Sequence, residues 1–191
     1  YTYTPVVLPP DEEDVGGTTE TATVIKDSTC PGDNWDFEIG TLACWEVEGD
    51  AFVDDPINDE HPVLGNVGHH ASWWVSSYGY LDAGESMGYM LSQVFEIQTS
   101  IVAFLFGGGA DREAAVELLI EKTEDDTFSL PVRNLPGTSQ KWYVAYSTAD
   151  LEEASSDRLI PIEWNVLRFL NRSAYIYVRD ELHLSKARLW G

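Results

Sequence analysis

Three groups of residues have the types and spacing to do chemistry. Asp50, Asp54 and Asp55 flank Ala51-Phe52. Calcium takes about six to eight oxygens from carboxylates and loop carbonyls, so a turn with three aspartates suits it, although no EF-hand spacing is present. His61, His69 and His70 lie within ten residues, beside Asp59 and Glu60. Imidazole with carboxylate is transition-metal chemistry, but adjacent histidines on a strand point to opposite faces, so His69 and His70 do not readily share one ion. The plainer reading makes them loop and strand-edge residues. Trp73, Trp74, Tyr78 and Tyr80 form an aromatic run. Sugar rings present apolar C–H faces that stack on such side chains, while carboxylates accept from hydroxyls. On a strand Trp73 and Trp74 point apart, so at most one belongs to a core. The plainer reading has one core tryptophan and one packed under a loop.

Smaller signals surround these groups. Gly84-Glu-Ser-Met-Gly88 has the G-x-S-x-G form of a nucleophile elbow. That motif needs a buried strand before it and a helix after it, to strain and expose Ser86. The flanks here read as loop and then strand, which favours a polar turn and no enzyme. Residues 107–109 are three glycines. An anion-binding nest is one use for them, and a strand stop is the simpler one. Cys30 and Cys44 are the only cysteines. In an oxidising compartment they are expected to form a disulfide, closing a loop onto the first strand for about 3 kcal/mol. The alternative is two buried thiols. Zinc is disfavoured, because there is no C-x-x-C. Asn171-Arg172-Ser173 is a glycosylation sequon, which lends weak support to a secretory route.

Charge narrows the partners. The chain has 191 residues and a net charge of −22, and residues 1–60 hold 16 acids against one base, Lys26. Such a surface repels phosphate backbones and anionic bilayers, so neither nucleic acid nor membrane insertion is expected. No apolar run approaches the roughly 18–20 residues of a membrane span. Divalent cations, cationic partners and neutral sugars remain, and plain solubility in a salty compartment explains the charge equally well. The chain begins at Tyr1, which suggests a removed leader or a piece of a longer polypeptide.

The elements that must position these residues read mainly as strands. Residues 1–29 form an acidic arm with Pro5, Pro9, Pro10 and a threonine-rich stretch, lacking the periodicity of a core element. From Trp35 onward the pattern is β. Strands are expected from Trp45, over 71–75, 89–97, 101–106, 141–146 and 174–180. In the last, Ala174, Ile176 and Val178 share one face and Tyr175 and Tyr177 the other. Residues 114–122 pull two ways. Ala, Glu and Leu favour a helix, while alternation places Val116, Leu118 and Ile120 on one strand face. Residues 148–157 read as an insertion loop or a short helix.

The order of several motifs resembles one family. Asp36-Phe-Glu-Ile-Gly-Thr-Leu-Ala-Cys-Trp-Glu-Val-Glu-Gly-Asp-Ala-Phe52 is similar to its opening, and Gly88-Tyr-Met-Leu-Ser-Gln-Val-Phe-Glu-Ile97 to its next strand. Ile162-Glu-Trp-Asn-Val166, residues 174–180 and Leu189-Trp190-Gly191 follow in the family's order. The chain resembles secreted galactose-binding-like β-sandwich domains, including the fructan-binding modules appended to levanases. The resemblance spans about Asp36 to Gly191. It implies an all-β jelly roll over 30–191, resolves residues 114–122 as a strand, and puts Trp35 and Trp45 in the core. It also implies structural calcium and a carbohydrate-binding or adhesive role. The stretch 123–160 is longer than the family's, and its closing strand is missing after Gly191. A neighbouring subunit, a continuing chain, or arm segments 6–8 and 22–25 would complete that edge. The second functional reading is therefore an assembly subunit of a larger extracellular or lumenal complex.

Overall fold

The computed structural model describes residues 34–53, 55–58, 60–61, 64–77, 86–108, 114–136, 138–151 and 156–181. Strands are β1 (Trp45–Gly49), β2 (Gly88–Ser92), β3 (Phe95–Glu96), β4 (Ile101–Gly108), β5 (Ala114–Glu121), β6 (Val132–Asn134), β7 (Lys141–Ser147), β8 (Ser156–Asn165) and β9 (Ser173–Asp180). Two 3-10 turns, Thr148–Asp150 and Leu167–Phe169, complete the regular structure of the described residues. The protein is all-β in these parts.

A seven-stranded sheet runs β1-β2-β9-β5-β7-β6, with β3 also pairing β9, and β4 and β8 make a second sheet. Every pairing is antiparallel. Alternation on the strands sets the core between the sheets. Leu118 and Ile120 of β5, Tyr143 of β7 and Ala174 of β9 meet Trp164 of β8, with Val102 and Phe104 of β4 packed against them. The Phe104 and Trp164 rings lie edge to face at 4.7 Å.

Residues 114–121 are a strand because both faces of β5 are covered. Leu118 and Ile120 enter the core between the sheets, while Leu119 packs on the opposite face under Trp142 and Tyr177. A centrally paired strand buried on both sides reads as a continuous apolar run, and this tertiary demand outweighs helix propensity. A bulge lies between Leu118 and Leu119, where the β7 partners jump from Tyr146 to Val144. The extra residue re-aims the strand, and Tyr146 stacks on Trp164 at 5.5 Å.

Two expected strands differ. Residues 89–97 divide into β2 and β3 around Gln93-Val94. There Ser92 Oγ donates to the Gln93 carbonyl and accepts from the Ile176 amide, at 2.9 Å each, replacing ladder bonds. Residues 71–75 are not a strand. Only Trp74 pairs, in one bridge with Ile57, and Ala71 adopts φ 62°. That left-handed backbone cannot continue a pleat. In the stretch 148–157, a 3-10 turn capped by Ser147 comes first and β8 has begun by Ser156. The arm 1–29, Cys30, Asp54, Asp59, Tyr78, Tyr80 and the segment 182–191 lie outside the described residues.

Candidate functional site

Alternation along β9 turns Tyr175, Tyr177 and Arg179 away from the core between the sheets. Pairing then fixes their neighbours. Tyr177 lies opposite Leu91 and Glu117, Arg179 opposite Tyr89 and Ala115, and Tyr175 opposite Leu119. Strand β1 brings Glu48 beside Tyr89 and Glu46 beside Leu91. Strand β6 brings Arg133 opposite Trp142. One sheet face thus collects four aromatic rings, two guanidiniums and several carboxylates.

The rings pack in two pairs. Trp142 and Tyr175 meet edge to face at 4.6 Å, and Tyr89 and Tyr177 are tilted at 5.3 Å. Beneath them lies a buried charge network. Glu117 Oε1 accepts from Arg179 Nε at 3.0 Å and from Arg133 at 2.8 Å, while its Oε2 lies 2.7 Å from Arg133 Nε. Arg179 also reaches Glu181 at 3.2 Å. The Arg133 guanidinium sits 5.0 Å from the Tyr177 ring centre, a cation–π distance.

Exposure separates the roles. Trp142 and Tyr177 are each 5% exposed and form the floor. Tyr89, Tyr175 and Arg133 are half-buried, and Glu46 and Glu48 are exposed. Tyr89 donates its hydroxyl to Glu48 at 2.6 Å. Burial pushes the Tyr89 phenol well above the usual tyrosine range, and the bond to Glu48 and the charges of Glu46 and Glu48 add to it. Burial likewise raises Tyr175 and Tyr177. All three phenols therefore stay neutral near pH 7. Trp142 Nε1 is buried and finds no acceptor among the described residues. The face offers apolar ring surface, hydroxyl groups, carboxylate acceptors and a guanidinium donor.

The residues singled out from sequence lie elsewhere. Trp74 is a core residue with Ile57 and Val67, and its ring contacts His61 at 5.9 Å and His69 at 6.2 Å. Its ring is not open to a ligand. Trp73 is half-buried, and its ring covers Gly40 so closely that an added Cβ would lie 2.8 Å from it. The Ser72 and Trp73 amides each donate to Glu38 Oε1 at 2.9 Å. Burial pushes the Glu38 carboxyl up, but these amides and the Ser72 side chain, with a smaller electrostatic contribution from His69, outweigh it and hold the group below its usual range. Trp35 is 42% exposed, held edge-on by Trp45 at 5.8 Å and Phe95 at 5.0 Å, so it is a rim residue rather than the expected core residue.

The histidines do not converge. His61 is buried and its Nδ1 accepts from the Leu64 amide at 3.1 Å, the His69 ring stacks on Trp74 at 6.2 Å, and His70 is exposed. Among the described residues no group of three or more His, Cys, Asp or Glu side chains is placed to hold a metal ion. Asp50 accepts from the Met87 amide at 2.8 Å and Asp55 from the Ser76 amide at 3.1 Å, so both carboxylates fasten turns. Ser86 leads within two residues into strand β2, without the helix that a nucleophile elbow requires. The last glycine of that motif has a backbone reason instead. Gly88 pairs with Gly49, and an added Cβ on either would strike the backbone of the other strand. Gly107 fits against the Arg158 carbonyl, where a Cβ would come to 2.9 Å, so this glycine serves a close strand contact. Cys44 enters β1 with φ 77°, and no free cysteine occurs among the described residues.

Sequence reading passed over Tyr89, Glu117, Arg133, Trp142 and Arg179. A usable signal was Glu117, a lone acid between Val116 and Leu118 in a strand buried on both faces. A charge there needs a partner. No helix of the described residues is long and apolar enough to cross a membrane. No family model matches the chain, and no curated protein or solved structure matches it.

Proposed function

We propose that this chain is a non-catalytic recognition module with a galactose-binding-like jelly-roll fold, acting outside the cytosol or in a lumen, and that it binds a neutral saccharide on the outer face of the seven-stranded sheet. The observation that carries this reading is the placement of half-exposed Tyr89 and Tyr175 beside exposed Glu46 and Glu48 and half-exposed Arg133. Apolar sugar faces stack on the rings, while hydroxyls bond to the carboxylates and the guanidinium. The buried Glu117 network and the edge-to-face rings hold these groups on strands, which keeps a binding surface preorganised. The net charge of −22 favours a neutral over an anionic sugar. Glycan-array binding that free sugar competes away is the expected result. Silence across neutral glycans would remove the reading.

A second reading, an assembly subunit, has its own observation. Ile101 is 50% and Leu105 39% exposed on the outer side of β4, on a sheet with two strands among the described residues. A neighbouring subunit covering that side would bury them. Sedimentation then finds an oligomer that Ile101→Lys with Leu105→Lys dissolves, whereas a monomer at every concentration speaks against it.

Two supporting features belong to the same proposal. Cys30 and Cys44 join in a disulfide, to be found by non-reducing peptide mapping. Asp50, Asp54 and Asp55 contribute to a calcium site, and a melting temperature equal in calcium and in chelator would remove it.

A further inference from the structure

We infer that Asn171 carries an N-linked glycan, and that the sugar covers an apolar rim beside it. Asn171 and Arg172 form the turn between the 3-10 turn Leu167–Phe169 and β9, and Ser173 of the sequon is the first residue of that strand. Both flanks are anchored. The Asn171 amide donates to the Ile97 carbonyl at 2.8 Å, Arg172 bonds both Asp126 oxygens at 2.9 and 2.8 Å, and Ser173 pairs with Glu96. Between these anchors Asn171 is exposed at φ 61°, the left-handed conformation that asparagine tolerates at a turn tip. An attached sugar there displaces no packed side chain.

The surroundings give the sugar something to do. Leu167 is 57% and Leu170 36% exposed, both within four residues of Asn171. Leu167 also lines an open hollow with Tyr146, Asn165 and Arg168. Exposed leucines at a strand end are an aggregation liability, and a bulky hydrophilic group one turn away shields them.

The chemistry balances with a lipid-diphosphate-linked oligosaccharide as donor. Asn171 Nδ2 attacks the anomeric carbon. The N–C bond forms as the C–O bond to phosphate breaks, the lipid diphosphate leaves with the electron pair, and the amide proton passes to a base of the transferase. Ser173 supplies the hydroxyl that the sequon requires.

The inference rests on the proposed function only for its lumenal route, and the test separates the two. The full chain is expressed behind a cleavable secretory leader in glycosylating cells, and intact mass is read before and after peptide-N-glycosidase. One glycan mass is expected, lost on digestion with Asn171 converted to aspartate. Ser173→Thr retains the increment and Ser173→Ala loses it, which keeps the test independent of folding at Asn171 itself. Digestion also raises binding of a hydrophobic dye. Folded, secreted chain of unmodified mass would overturn the modification. Dye binding unchanged by digestion would overturn the shielding role. Glycan-array results do not bear on either outcome.

Discussion

Glu117 of β5 and Arg179 of β9 form a buried ion pair at 3.0 Å, and Arg133 of β6 closes on the same carboxylate at 2.7 Å. Three strands are tied beneath one aromatic face by a single acid. Removing one partner of such a pair strands charge in a poor solvent. Glu117→Ala should therefore cost about 3–5 kcal/mol in urea unfolding. Glu117→Leu combined with Arg179→Met should recover most of it, since the half-exposed Arg133 can turn to water. A loss under about 1 kcal/mol for the single variant would show that the network is solvated.

The Asp126–Arg172 pair sets an acid limit. Hydrogen bonds from Arg172 hold the Asp126 carboxyl well below the usual carboxylate range, against the opposing effect of burial and with help from the Thr123 amide. A depressed folded-state value means stability that is present above the unfolded value of about 4 and lost as pH falls below it. Asp126→Asn should cost about 1–3 kcal/mol at pH 7. Its stability should then fall less than wild type between about pH 4 and 2. Parallel curves would refute the linkage.

Tyr89, Tyr175 and Tyr177 set an alkaline limit. Their folded values are raised, so their contribution is complete below the unfolded value of about 10 and is lost as pH rises through the folded values. Phenolate absorbance should show a late-titrating set of tyrosines whose ionisation coincides with unfolding. Tyr89→Phe should remove one member of that set. Titration of every tyrosine near pH 10 in the folded protein would contradict the packed face.

Gly40 is the test of the Trp73 loop. Its φ of 69° and the ring 2.8 Å from an added Cβ both oppose a side chain. Gly40→Ala should cost about 1–3 kcal/mol and shift Trp73 emission toward solvent-exposed wavelengths. An unchanged spectrum would place Trp73 elsewhere.

Much of the scaffold was legible because alternation is a local signal. Ala174, Ile176 and Val178 were separated from Tyr175 and Tyr177 by period alone, and the sheet keeps that division. The break at Gln93 was not legible, because it depends on Ser92 meeting Ile176 across 84 positions. Trp74 drew attention as a ligand residue because composition reports ring surface and not burial. The outer face was hidden for a related reason. Its members come from β1, β2, β5, β6, β7 and β9, and only pairing brings Arg133 to Glu117. Residues 114–122 were ambiguous in sequence, because helix propensity and alternation compete there and only burial of both faces of β5 decides for a strand.

The most direct measurement is calorimetric titration of the best array sugar into wild type, Tyr175→Ala, Tyr89→Ala and Trp73→Ala, each first shown to be folded. The outer-face account predicts that Tyr175→Ala and Tyr89→Ala each weaken binding about tenfold or more, about 1.4 kcal/mol, while Trp73→Ala binds as wild type. Full affinity in both tyrosine variants with loss in Trp73→Ala would contradict it, and would move recognition to the loop that covers Gly40.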